Sequence, residues 1–170
     1  MDVLKAATDW AKAEVFSSQF FILFGLVFVL ASIGFWQLGK TEIARAFIIP
    51  NLVVGVLLLT IGLGMFFTNK SRVTGFPNSY HTDPVAFVEA EMIRAKKTIK
   101  EYDTIVFKVI PLLIVTAALL LLFIDKAGWR AISISTIALL VIILFVDSNA
   151  KARIEAYHQQ LVQVEKELDN

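Results

Sequence analysis

Cysteine is absent from the chain, which excludes a disulfide framework, a thiolate metal site, a cysteine nucleophile and redox chemistry through sulfur. Charge is absent over long stretches as well: residues 15–39, 46–69, 109–124 and 131–146 contain no Asp, Glu, Lys, Arg or His. Apolar runs of that length read as membrane spans, and four of them leave little chain for a soluble core. Composition points the same way, because hydrophobic residues make up 57% and mean hydropathy is +0.71, so the 18% of charged residues is crowded between the runs. A net charge of +1 supplies no general basic field, so nucleic acid is not an expected partner. The GxxxxGK[ST] phosphate loop, the HExxH zinc motif and the G-x-S-x-G elbow are all missing.

What is present organises as an all-α integral membrane protein, one membrane domain with four transmembrane helices at 20–38, 47–68, 105–124 and 130–147. The first two form a hairpin around the connection at 39–46. Gly25 with Ser32, and Gly55 with Gly62, recur at heptad spacing, which lets neighbouring helices approach closely. Residues 1–16 mix acids and bases, unlike a signal-peptide n-region, and are expected to be retained. Val3, Leu4, Ala7, Trp10, Ala11 and Val15 give this segment a modest apolar face. It is expected either to lie in the interface with Trp10 as anchor or to continue the first span. Residues 69–83, with Gly75, Pro77, Asn78 and Ser79, read as a mobile loop. Twelve of the sixteen Lys and Arg lie on the side of the termini and the middle segment. By the positive-inside rule both termini are cytoplasmic, in a plasma or inner membrane.

The third and fourth charge-free runs have only 16 residues each, about 24 Å of helix, which is short for a bilayer. They suffice if their helices continue past the bounding charges. In a hairpin turning at residues 126–129, residues at equal depth have numbers summing to about 255. Asp125 then faces Arg130, and Lys108 faces Asp147 as a candidate ion pair at the cytoplasmic edge of the hydrocarbon, where a lone charge is costly. Val85, Val88, Met92, Ala95, Ile99, Tyr102 and Val106 alternate steps of three and four, as do Ala150, Ile154, Tyr157, Leu161, Val164 and Leu168. Asp83 and Pro84 supply a helix start. The spacing thus predicts helices over 84–104 and 148–168 that extend the second hairpin into a cytoplasmic antiparallel coiled-coil stalk. Its charged faces, including Glu89, Glu91, Glu101, Lys151, Arg153 and Glu155, are expected to be solvated. Arg94, Lys96, Lys97 and Lys100 are the candidate contact for anionic lipid or a protein partner.

Chemistry-bearing residues are few. His81 with Asp83 falls short of the three or four ligands of a zinc site, and no metal, cofactor or catalytic residue is assigned. Arg153 and His158 make an Arg-x-x-x-x-His spacing that resembles the motif of HEPN ribonucleases. That resemblance covers six residues and implies RNA cleavage by the Arg and His; the polar residue that often follows the Arg is replaced by Ile154. The leading expectation is a non-enzymatic scaffold or accessory subunit, a homo-oligomer or the partner of another membrane or cytoplasmic protein. The alternative is an oligomeric channel or small transporter lined by Gln37, Asn51, Thr60, Thr116, Ser133, Ser135 and Thr136. A membrane-associated enzyme comes third.

Overall fold

The computed structural model describes residues 3–168, and among them the chain is helical except for short turns, with no strand. The elements are α1 (Val3–Leu38), α2 (Glu42–Ala46), α3 (Ile48–Thr82), α4 (Pro84–Glu101), a π-helical segment (Tyr102–Val109), α5 (Ile110–Phe123) and α6 (Ala127–Leu168). Four helical stretches, Val3–Leu38, Glu42–Thr82, Pro84–Phe123 and Ala127–Lys166, are long and apolar enough to cross a membrane. The apolar side chains that cover their outer faces, such as Leu30, Phe67, Leu122 and Phe145, are exposed in the isolated chain, as lipid-facing residues are.

The largest interface joins α1 to α3, and glycine makes it. A Cβ at Gly25 would lie 2.9 Å from the Leu59 nitrogen, one at Gly55 2.9 Å from the Val29 nitrogen, and one at Gly62 2.9 Å from the Ile22 nitrogen. The two backbones therefore touch, which is how helices gain dispersion contact where lipid removes the hydrophobic drive. Ser32 completes the seam by donating to the Ile48 carbonyl at 2.7 Å. Beyond it, Phe21, Val54 and Leu58 bury against Val146 of α6. Within the apolar part of the bundle α5 rests chiefly on α6.

One sequence expectation needs correction. Residues 69–83 are not a loop, because α3 runs through Pro77 to Thr82 and only Asp83 breaks it. Pro77 removes one backbone donor, but Phe76 is buried and stacks edge-on against Phe87 at 5.4 Å, with Tyr80 meeting the same ring at 5.6 Å. Tertiary burial thus overrides the local breaker. Asp83 caps the next helix, its Oδ1 accepting from the Ala86 N–H at 3.0 Å. Of the two expectations for the N-terminal segment, continuation of the first span holds: α1 starts at Val3 without a break and buries Val3, Ala7, Trp10 and Ala11 in a cluster with α3, α4 and α6, so Trp10 packs inside the bundle. Of the seam residues, Val88, Ala95, Ile154, Tyr157, Leu161 and Val164 are buried in this same cluster. The Leu168 side chain lies outside the described residues.

The junction of α4 and α5 departs from α geometry. The Ile110 N–H donates to the Ile105 carbonyl five residues back, the wide register of a π-helix. In an α register the Phe107 carbonyl would look to residue 111, which is proline and has no N–H. The wider register moves that demand from the Phe107 to the Val106 carbonyl, and the seam continues through the segment, with Tyr102 packed on the buried cluster and Val106 buried.

Candidate functional site

Among the described residues the buried charges, Glu14 and Glu91, lie at the polar end of the bundle, the end that holds residue 3 and the last turns of α6. Glu14 is 3% exposed, and its Oε1 accepts from Arg153 Nε at 3.1 Å and Nη2 at 3.0 Å. The same Nη2 donates to the Ser17 hydroxyl at 2.7 Å. Glu91 is buried beside it, bridged by both Arg94 donors and by the Tyr157 hydroxyl at 3.0 Å. Arg72 donates to the Asn69 Oδ1 at 2.7 Å.

Trp10 is the centre of this arrangement. Tyr157 stacks on it with centroids 5.6 Å apart and planes 12° from parallel, while the Arg94 guanidinium lies 4.1 Å and that of Arg72 5.7 Å from the ring centroid. The indole face attracts cations electrostatically, more so out of water. The Trp10 Nε1 itself is buried without a hydrogen-bond partner.

The electrostatics follow from burial. Desolvation raises the pKa of Glu14 above its ordinary value against the opposing pull of Arg153, Arg94 and Arg72. Burial, then the like charge of Arg94, lowers that of Arg72. Burial and the negative charge of Glu91 push the Tyr157 hydroxyl up, so it remains a donor to that carboxylate. Tyr102 is raised by burial and then by Asp147. A cleft of about 590 Å³ opens beside the network between α1 and α6, lined by Lys5, Asp9, Trp10, Arg153, Tyr157 and Gln160.

The sequence candidates are distributed differently from what their spacing suggested. Lys108 and Asp147 form no ion pair among the described residues: Lys108 is exposed, Asp147 is half-buried, and Lys151 bonds Asp103 at 2.6 Å and Glu155 at 3.4 Å instead. The hydrogen bond to Asp103 raises the Lys151 pKa. The Asp125–Arg130 pair is present at 3.0 Å. The basic cluster is split, with Arg94 turned inward while Lys96, Lys97 and Lys100 remain exposed, Lys97 reaching Glu101 at 3.9 Å. Glu91, expected on a solvated face, is therefore buried, and Arg94 and Arg153 are half-buried. Arg153 is occupied by Glu14 and Ser17, and His158 does not join it in any bond. His81 is exposed beside Tyr80, and no group of three metal-ligating side chains forms among the described residues.

Glu14, Arg72 and Asn69 were not singled out from sequence. A signal for Glu14 was there: Ala7, Trp10, Ala11, Glu14, Ser17, Ser18, Phe21 and Gly25 continue one stripe of three- and four-residue steps into the first span, so the acid falls on the buried face. In comparisons with protein-family models, curated proteins and solved structures, the chain matches none.

Proposed function

We propose that the protein is a non-enzymatic membrane scaffold or accessory subunit, oligomeric in a plasma or inner membrane, with both termini in the cytoplasm. The Lys and Arg distribution supports that orientation. The two helical pairs, α1 with α3 and the α4–α5 rod with α6, act as hairpins, and α4 with α6 forms an antiparallel coiled-coil stalk reinforced by the start of α1. Its outer face leaves Val85, Ile93, Lys96, Lys97 and Lys100 exposed for a protein partner.

The observation that carries this reading is the use of polar groups inside the apolar segments. A pore needs side chains facing a lumen. Here Ser32 bonds the Ile48 carbonyl, Ser135 donates to Asn51 at 2.8 Å, and Thr60 and Thr116 bond the Val56 and Leu112 carbonyls of their own helices. At the polar end Arg153, Glu14, Glu91 and Tyr157 hold each other, which is structural use of the groups that acid-base chemistry would require. Ser133, whose hydroxyl is buried without a partner, stands apart from this pattern.

The test is reconstitution in liposomes and in nanodiscs. The expected result is no ion or small-solute flux above empty vesicles together with a single oligomeric mass in lipid. A saturable flux would overturn the scaffold in favour of the channel, and a monomer at every protein-to-lipid ratio would remove the oligomer.

A further inference from the structure

Three arginines and two glutamates surround Trp10, and the excess positive charge falls on Arg72. Arg153 is bonded to Glu14 and Arg94 to Glu91, whereas the hydrogen bond of Arg72 goes to the neutral Asn69 Oδ1. Glu91 and Glu14 act on Arg72 only through space, outweighed by its burial and by the like charge of Arg94. Asp147 is not among the charges that act on it. Arg72 is nonetheless half-buried rather than extended into water. A guanidinium in that position carries planar paired donors that match a phosphate oxyanion, and only one of its bonds is taken.

Depth narrows the class of anion. The uncharged run of α3 ends at Asn69, so Arg72 lies three residues, about 5 Å of helix rise, past the apolar segment. The headgroup layer on each side of a bilayer core is roughly 5–8 Å thick. Asn69, which positions the guanidinium, is itself 4% exposed and fixed by its own bond to the Met65 carbonyl at 3.0 Å. The cation is thus held by a rigid helix turn at the level where lipid phosphates lie.

We propose that Arg72, oriented by Asn69 and backed by Trp10, is a binding site for the phosphate of an anionic phospholipid. One such headgroup brings the buried set to three positive and three negative charges. A zwitterionic headgroup would return a cation to the same place, so the site discriminates by net charge and not merely by the presence of phosphate. The site is distinct from the exposed lysines of α4, which attract any anionic surface without selecting one lipid. It does not depend on the scaffold reading, since a channel with the same network would hold the same lipid.

The test compares the full chain with Arg72→Gln and Lys70→Gln in nanodiscs of phosphatidylcholine containing a minor fraction of phosphatidylglycerol. Co-purifying lipid is counted by native mass spectrometry, and the unfolding midpoint is read in parallel. Lys70 is exposed and two residues away, so it reports general surface attraction. The expected result is one retained phosphatidylglycerol with at least about tenfold preference over phosphatidylcholine. That preference should be lost in Arg72→Gln and kept in Lys70→Gln. The proposal is overturned if Arg72→Gln keeps the preference, if Lys70→Gln loses it equally, or if inorganic phosphate in pure phosphatidylcholine raises the midpoint as much as the lipid does. Should Arg72→Gln fail to fold, Arg72→Lys keeps the charge without the planar fork. A preference reduced at least about threefold then supports the site, and an unchanged preference overturns it.

Discussion

Glu14 shows how a single residue sets the condition under which the polar end is stable. It is a carboxylate almost without solvent, and its partners are Arg153 and, through Arg153, Ser17. Desolvation outweighs those partners, so the folded-state pKa lies above the ordinary glutamate value. The sign of the linkage follows directly. Over the window between the ordinary and the raised pKa the folded chain holds a proton that the unfolded chain has released, so acidification favours folding. The contribution of this group is fully present below the ordinary glutamate pKa and is lost as pH rises through the folded value. The unfolding midpoint of the wild type in detergent is therefore expected to rise relative to Glu14→Gln as the buffer is acidified from neutrality toward the ordinary glutamate range. Scanning fluorimetry of both proteins across that range is the measurement, and parallel pH slopes would refute the assignment. Trp10 acts at the same scale by a different means, since its ring gives Arg72 and Arg94 a common polarisable surface that an aliphatic side chain would not.

At the scale of elements, the α1–α3 pair makes a prediction with an internal control. Gly62 sits where an added Cβ would meet the Ile22 nitrogen at 2.9 Å, whereas nothing lies within 4 Å of a Cβ at Gly64 on the same helix. Gly62→Leu is expected to destabilise by about 1–3 kcal/mol or more, as overpacking against backbone does. Gly64→Ala is expected to be neutral or stabilising by about 0.5–1 kcal/mol, because it removes helical glycine flexibility without a clash. Thermal unfolding in detergent separates the two, and equal losses would show that the seam is not where the glycines place it. The four apolar segments were legible in the sequence because membrane burial depends on composition, and 109–124 carries no ambiguity about charge. The helix at 69–82 was not legible, because Pro77, Asn78 and Ser79 send a local turn signal while the opposing cause, Phe76 meeting Phe87, exists only in three dimensions. The absence of a Lys108–Asp147 pair has a different origin. The depth arithmetic holds nearby, where Asp103 and Lys151, whose numbers also sum to about 255, do pair, but it says nothing of which face a side chain occupies, and Lys108 is exposed while Asp147 is half-buried.

For the whole molecule, the two ends of the bundle are held by different physics. The apolar part relies on close backbone approach and side-chain interdigitation between α1 and α3, with α5 resting chiefly on α6. The polar part is a cluster to which α1, α3, α4 and α6 all contribute, tied by the Glu14–Arg153 and Glu91–Arg94 pairs and centred on Trp10. Because α4 has its main packing there against α6, the order of α4 should depend on a residue of α1 that is distant in sequence. Trp10→Ala removes the ring that Tyr157, Arg94 and Arg72 share, a loss that for a buried aromatic is about 3–5 kcal/mol. If the polar end opens as one unit, amide hydrogen exchange should accelerate by at least about tenfold across both Pro84–Glu101 and the last turns of α6, each tenfold corresponding to about 1.4 kcal/mol. Amides of the α1–α3 seam around Gly25, Gly55 and Gly62 should exchange at the wild-type rate, since none of their contacts involves Trp10. Exchange that rises only in the first turns of α1 would mean that this segment leans on an independent α4–α6 stalk, whereas a rise along the entire chain would mean that the two ends unfold together.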